Sequence, residues 1–243
     1  MAKLDFTIDE GHSHSAFGLI VLASDETLEP EIAPLFKTAG QALYHSRIPS
    51  APTVTPTTLA QMEKDLPITA GLFPAKDALK AIGYGCTSGA TVIGADRVAA
   101  LVNTSCPKVP VTNPLTATLA ALSHTNAQKI GVLTPYRPDV SEALLQAFRA
   151  NGLQIEALHS FEQEEEAVVA RITETSVAEA LVTLGAGDCD AVFASCTNLR
   201  SFSVISEVEA QIGKPVVTSN SALAWHMAQL GGVALDGPGR LFS

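Results

Sequence analysis

The chain has 243 residues, of which 47% are hydrophobic and 16% charged, and its formal net charge is −10. This composition is typical of a globular protein with an ample core, and its acidic balance argues against nucleic acid or an anionic membrane as partner. Because no apolar run approaches the ~18 residues of a membrane span and residues 1–15 lack a signal-peptide pattern, we expect a cytoplasmic protein whose four cysteines are thiols.

Predicted strands and helices alternate along the chain. In the first half, strands are predicted over residues 16–23, 77–84 and 109–111, and helices over 29–47, 58–70, 90–102 and 114–124. Residues 48–56 contain three prolines and are expected to form a loop. In the second half, strands are predicted over 129–133, 154–159, 190–195 and 214–217, and helices over 138–150, 164–184, 207–212 and 219–230. This alternation predicts an α/β fold with parallel sheets.

The two halves of the chain share a short motif. Cys86-Thr87-Ser88 in the first half is echoed by Cys196-Thr197-Asn198 in the second. Both cysteines follow predicted strands, and parallel sheets bind ligands at the carboxyl ends of their strands. We therefore predict two pseudo-symmetric subdomains that face one another across a cleft. Their predicted boundaries are residues 16–114 with 219–243 for the first and 115–218 for the second, after a flexible N-terminal arm at 1–15.

A thiol at a strand end can act as a nucleophile or as an acid/base group. An ordinary thiol has a pKa of about 8.5, so little of it is thiolate at neutral pH. A helix that starts directly after the cysteine favours the thiolate, and its N–H groups can bind a carboxylate. Two such thiols can take a proton from one face of a carbon and return one to the other without a cofactor. Cys106 and Cys189 lack this setting, which favours their interpretation as small buried residues.

Several short segments carry a resemblance to a known family. They are residues 21–27 (VLASDET) with 29–31 (EPE), 86–89 (CTSG), 134–136 (TPY), 195–198 (SCTN), and 213–216 (GKPV) with 219–220 (SN). The chain resembles the aspartate/glutamate racemase superfamily, which includes maleate cis-trans isomerases and arylmalonate decarboxylases. Residues 195–200 and 224–226 most resemble the branch of ectoine-utilisation racemase-like proteins. The resemblance implies two flavodoxin-like subdomains, an active site in the cleft between them, and chemistry without a cofactor.

The resemblance also implies roles for individual residues. Cys86 and Cys196 are the expected catalytic pair. Decarboxylase members keep only the second-half cysteine, so the presence of both favours racemisation or isomerisation. Binding of the substrate is expected to involve Asp25, Thr87, Ser88, Tyr136, Thr197, Asn198 and Glu166. No metal site is expected.

Two positions depart from the maleate isomerase pattern. Those enzymes have an Asn that holds a substrate carboxylate where this chain has Asp25, and a second such Asn aligns with Glu166. A carboxylate here would repel a dicarboxylate substrate but attract an amino group. We therefore expect a cofactor-independent two-cysteine racemase or isomerase that acts at the carbon α to a carboxylate of a small amino acid or related compound.

Other functions stay open from the sequence. Maleate cis-trans isomerisation is the first alternative, followed by arylmalonate-type decarboxylation and by a non-catalytic small-molecule binding protein. Residues 87–91 (TSGAT) also resemble the phosphate loop of flavodoxins, but in flavodoxins that loop follows the first strand. The expected partner is a small carboxylate or amino acid. Members of the superfamily commonly form homo-oligomers, although no feature of this sequence specifies one.

Overall fold

The computed structural model describes residues 3–8 and 15–243, except for the side chain of Pro56. Most of the predicted N-terminal arm at 1–15 therefore lies outside the described residues. Residues 3–8 are exposed and belong to neither a helix nor a strand. Among the described residues, none of the helices combines the length and apolar character needed to cross a membrane. The cytoplasmic location stays a prediction.

The first half of the described chain builds a four-stranded parallel sheet. Its strands are β1 (Ala16–Leu22), β2 (Ala42–Ile48), β3 (Leu79–Gly85) and β4 (Val111–Thr112), in the order β2-β1-β3-β4. Every residue of β1 is buried, as expected for a central strand that is covered on both faces. The helices of this half are α1 (Leu28–Thr38), α2 (Pro56–Gln61), α3 (Leu66–Gly71), α4 (Thr87–Ile93), α5 (Ala95–Asn103) and α6 (Pro114–His124).

The second half of the described chain repeats this arrangement. Its strands are β5 (Lys129–Tyr136), β6 (Gln154–Gln163), β7 (Ala191–Ala194) and β8 (Val216–Thr218), in the order β6-β5-β7-β8. The helices are α7 (Pro138–Ala150), α8 (Glu166–Val169), α9 (Glu174–Gly185), α10 (Ile205–Ile212) and α11 (Ser219–Gly231). Both sheets have the same strand order and are parallel, so the predicted α/β fold with two pseudo-symmetric halves is confirmed.

The two halves share a hydrophobic core. One cluster of buried side chains includes Ile20 and Tyr84 from the first sheet and Leu133 and Val192 from the second. Helix α11 follows β8 in the chain, yet it packs against β3 of the first sheet and against α6. The exact predicted division at residues 114 and 218 stays a prediction.

One predicted helix is wrong over much of its length. The pattern over 29–47 predicts a continuous helix, but α1 ends at Thr38 and residues Ala42–Ile48 form β2. Gly40, whose φ is 70°, lies in the turn between them, where glycine meets little steric penalty. As an edge strand beside β1, β2 is only partly buried, and its sequence therefore lacks the continuous apolar run of a central strand.

Three other predicted helices are each divided in two. The helix predicted over 58–70 is split between α2 and α3, because Pro67 occupies the first turn of α3 and so favours a new helix start. The helix predicted over 90–102 breaks at Gly94, whose φ is 93°. The helix predicted over 164–184 becomes α8 and α9, with Thr173 capping the start of α9.

Candidate functional site

Cys86 lies at the carboxyl end of β3 and caps helix α4. Its Sγ accepts a hydrogen bond from the Gly89 N–H at 3.2 Å, and Cys86 is the N-cap residue. Gly89 lacks a side chain at a point where a Cβ would lie 2.6 Å from Tyr84 Oη and 2.8 Å from Cys86 Sγ. The glycine is thus needed for the close packing around the thiol, and the predicted helix start after Cys86 is observed.

Cys196 follows β7 but does not begin a helix. Helix α10 starts only at Ile205, and the intervening residues form turns and bends. The expected second helix start is therefore wrong. Cys196 instead has a φ of 95°, which is rare for a residue with a side chain. Its N–H donates to Ser219 Oγ at 3.0 Å, and its Sγ accepts from the Asn198 N–H at 3.3 Å.

Both thiols line one buried cavity. Its walls include Cys86, Thr87, Ser88, Tyr136, Glu166, Cys196 and Thr197, which are seven of the nine predicted site residues. Asp25 and Asn198 are buried beside it but do not line it. The cavity volume is about 20 Å³, enough for the centre of one water molecule.

A segment between β2 and α2 covers the cavity and joins the two halves. The Val54 N–H donates to the Glu164 carbonyl at 3.1 Å, and the Glu166 N–H donates to the Pro52 carbonyl at 3.2 Å. Seven residues from this segment, from α2 and from the turn after it line the cavity: Ser50, Ala51, Thr53, Val54, Thr58, Leu59 and Met62. The sequence places these residues only in a proline-containing loop and in a predicted helix. The prolines are the one local feature that could have drawn attention to this segment.

Tyr136 and Glu166 form a hydrogen-bonded chain with Cys196. Tyr136 Oη donates to Glu166 Oε1 at 2.6 Å and lies 3.0 Å from Cys196 Sγ. Asn198 Nδ2 donates to Glu166 Oε2 at 2.7 Å. Because the phenol has one hydrogen and gives it to Glu166, its oxygen accepts from the Cys196 thiol. An ionised Cys196 would instead accept from the phenol, and this contact lowers the pKa of Cys196.

The cavity lies within a region that matches a known family. A family profile described as arylmalonate decarboxylase (Amdase) matches residues 77–242, which include both cysteines. The chain belongs to the arylmalonate decarboxylase family. It is similar to maleate isomerase of Pseudomonas putida, with 27% identity over 225 residues that cover 86% of this chain and 89% of the relative.

Solved structures related to this family share its fold. The maleate isomerase Iso of Pseudomonas putida S16 superposes with a TM-score of 0.84 at 25% identity, over 94% of this chain and 98% of that one. A mutant maleate cis-trans isomerase of Nocardia farcinica, which carries a covalently bound succinylcysteine intermediate, gives a TM-score of 0.82. Its identity is 24%, over 93% of this chain and 97% of that one.

Burial dominates the electrostatics of both thiols in this member of the arylmalonate decarboxylase family. Burial raises the pKa of Cys86 to about 12, although the Gly89 N–H acts in the opposite direction. The pKa of Cys196 is raised well above its ordinary value, first by burial and then by the Glu166 carboxylate. The N–H group at the start of α4 lowers the pKa of Cys86, as expected, but desolvation outweighs it.

Two buried carboxyl groups accompany the thiols. Asp25 Oδ1 accepts the N–H groups of Thr27 and Leu28, each at 2.8 Å, which fixes the start of α1. Its other oxygen, Oδ2, is buried and has no hydrogen-bond partner. Burial raises the pKa of both Asp25 and Glu166. None of the described residues that line the cavity is a lysine or arginine. Outside the cavity, the Arg47 guanidinium donates to the Asp25 carbonyl at 2.9 Å and lowers the pKa of Asp25 against the larger effect of burial.

Proposed function

We propose that this protein is a cofactor-independent two-cysteine isomerase that acts on a small carboxylate, with maleate cis-trans isomerisation as the reaction supported best. The observation that carries the proposal is that Cys86 and Cys196, from matched positions of two similar halves, line one buried cavity. Family membership and the similarity to maleate isomerase over 86% of the chain support this reaction.

The two thiols differ in their contacts, and this supports different roles. Cys86 accepts the Gly89 N–H at the start of α4 and contacts Tyr84, and both contacts lower its pKa against the larger effect of burial. Cys196 donates toward Tyr136, whose phenol is bonded to Glu166. We therefore assign nucleophilic attack to Cys86 and proton donation to Cys196.

The reaction can be written with balanced atoms. The Cys86 thiolate bonds to one alkene carbon of maleate, and the π electron pair moves to the neighbouring carbon, which takes the proton of the Cys196 thiol. Rotation about the new single bond follows. The Cys196 thiolate then removes a proton from that carbon, the carbon–sulfur bond breaks, and fumarate and the Cys86 thiolate are formed. A succinylcysteine in a maleate isomerase of the same fold supports the addition step.

The substrate carboxylates need donors that the cavity can supply. Thr87 and Ser88 lie in the first turn of α4, where N–H groups have no partner within the helix and can bind an anion. Thr197 offers a hydroxyl from the opposite wall. Asn198 is less free, because its amide already bonds Glu166 and its Oδ1 accepts the Glu26 N–H at 2.8 Å. We assign Asn198 to holding Glu166 and the wall in place.

Racemisation of a small amino acid is the second candidate, and the two carboxyl groups favour it. Asp25 and Glu166 are 2% and 3% exposed. The described lining of the cavity contains no lysine or arginine, and Arg47, which acts on Asp25 from outside the cavity, does not offset its burial. A substrate ammonium group would supply the missing positive charge, whereas a dianion would add repulsion. In that reaction the same thiols exchange protons at the α-carbon from opposite faces. The resemblance of residues 195–200 and 224–226 to ectoine-utilisation racemase-like proteins favours this candidate.

A side-by-side assay in D₂O tests both reactions. The purified protein is incubated with maleate, with a panel of L-amino acids and with an arylmalonate, and products and α-deuteration are followed by proton NMR. Cys86→Ala and Cys196→Ala should each lower turnover by at least 10³-fold, while Cys106→Ala, a buried cysteine of the first half, should keep it.

The outcomes separate the functions. Fumarate from maleate supports the main proposal, and α-deuterated amino acid supports racemisation instead. Carbon dioxide released from the arylmalonate would indicate a decarboxylase. Binding without turnover of any compound would indicate a binding protein. Full activity in either active-site cysteine variant would overturn the two-thiol mechanism.

A further inference from the structure

The turn that carries Cys196 is strained and needs support from outside itself. The positive φ of Cys196 is sparsely populated for residues with a side chain and persists only where the surroundings hold it. Residues 196–204 form neither helix nor strand. The bonds that hold this turn therefore determine where the Cys196 thiol lies.

Glu31 and Asn220 supply a large part of that support. Glu31, on α1, accepts the N–H groups of Ser201 and Phe202 at 3.2 and 3.1 Å through Oε1. Its Oε2 accepts from Asn220 Nδ2. The same Nδ2 donates to the carbonyl of Thr197 at 2.9 Å, directly after the cysteine. One carboxylate thus connects both ends of the turn to α1 and α11.

The hydrogen bonds of the Asn220 amide require Glu31 to be ionised. Both of its N–H hydrogens are used, one by Glu31 and one by the Thr197 carbonyl, whereas its buried Oδ1 has no partner. A protonated Glu31 would need an acceptor for its hydrogen, and Asn220 Oδ1 is the unpartnered acceptor beside it. Rotating the amide to offer Oδ1 would withdraw the N–H from Thr197.

We propose that Glu31 is a positioning residue for Cys196: its carboxylate, acting through Asn220, holds the peptide after the cysteine, and protonation of Glu31 releases it. The proposal rests on the proposed function in one respect, that Cys196 is the reacting thiol. Glu31 itself contacts the turn and Asn220, and it does not line the cavity.

Burial places the protonation of Glu31 in the neutral range. Burial raises the pKa of Glu31 to about 7, the three N–H donors act in the opposite direction, and the nearby Asp25 raises it further. From the turn and α11, Glu31 meets the uncharged Ser201, Phe202 and Asn220. Arg200 on the same turn bonds Glu174 at 3.4 Å.

Hydrogen exchange of the turn tests the proposal without any substrate. In the wild-type protein, the amides of Ser201 and Phe202 should lose at least tenfold protection between pH 8 and pH 6, after correction for intrinsic exchange rates. Glu31→Gln mimics the protonated acid, so its turn should show the weaker protection at both pH values. Glu209→Gln is the matched control, because Glu209 is also buried and accepts two backbone N–H groups, from Val216 and Arg240.

The wild-type series alone can overturn the proposal. Equal protection at pH 6 and pH 8 would do so, as would a Glu209→Gln protein that loses the pH dependence as fully as Glu31→Gln. If turnover has been found, Glu31→Gln should lower kcat at pH 8 about tenfold with KM within twofold, and Glu31→Asp should restore part of the pH dependence. Failure to find turnover would affect the proposed function and leave the exchange result intact.

Discussion

Replacing Glu31 with glutamine should change how the stability of the protein depends on pH. Folding raises the pKa of Glu31 from 4.5 to about 7. A raised carboxyl pKa means that the folded state binds the proton more tightly than the unfolded state does. The stability contributed by the protonated group is therefore complete below about pH 4.5 and is lost as the pH rises through 7.

The magnitude follows from the size of the shift. A difference of about 2.5 pKa units corresponds to about 3 kcal/mol at ~1.4 kcal/mol per unit, which is an upper value for a partly accessible side chain. Glu31→Gln cannot lose this contribution with rising pH. Its free energy of unfolding should thus increase relative to that of wild type, by up to about 3 kcal/mol, between pH 4.5 and pH 8.

Urea unfolding of both proteins at several pH values measures this difference directly. Asp25 and Glu166 also have raised pKa values, so the absolute stability of both proteins should fall with pH. The contribution of Glu166 cancels in the comparison, whereas the coupling between Asp25 and Glu31 is part of the measured difference. A wild-type-minus-variant difference that stays constant across the range, with equal m values, would refute the reasoning. A difference of opposite sign would mean that Glu31 is ionised more easily in the folded protein.

Three further substitutions test the site. Gly89→Ala forces a Cβ to within 2.6 Å of Tyr84 Oη, so we expect kcat to fall at least 10²-fold. Steady-state kinetics measure this change, and an unchanged kcat would show that the close packing is dispensable. Tyr136→Phe removes the link between Cys196 and Glu166 and should lower kcat about 10²-fold, with wild-type rates arguing against proton donation through this chain. Ser219→Ala leaves the Cys196 N–H unpaired and should lower the free energy of unfolding by about 1–3 kcal/mol, measured by denaturation; no loss would mean that another acceptor replaces the hydroxyl.

The sequence predicts the strands of the site better than its helices. Buried central strands such as β1 and β7 are short apolar runs, and their apolar character is visible without knowing their neighbours. The edge strand β2 is partly exposed and was predicted as a helix, because its burial depends on pairing with β1. Gly40 and Gly94, both with positive φ, were the local signals for the end of α1 and for the break between α4 and α5.

The candidate site likewise has one part that local sequence predicts and one part that it does not. The repeated cysteine motif and the helix start after Cys86 can be predicted from local sequence, since each depends on a few neighbouring residues. The turn at Cys196 could not, because its form is held by Ser219 and Asn220 from α11 and by Glu31 from α1. Glu31 and Asn220 lie within motif segments, but local sequence assigned neither of them a contact.

By itself, the sequence determined the α/β class, the two similar halves and the placement of a thiol after a strand in each half. Hydrophobic patterning and short motifs carry this information locally. Only the tertiary structure decided that Cys196 lies in a strained turn, that burial outweighs the N–H contacts and raises the thiol pKa values, and that Tyr136 bonds Glu166. These properties depend on desolvation and on contacts between residues far apart in the chain, which become defined only when the two halves pack together.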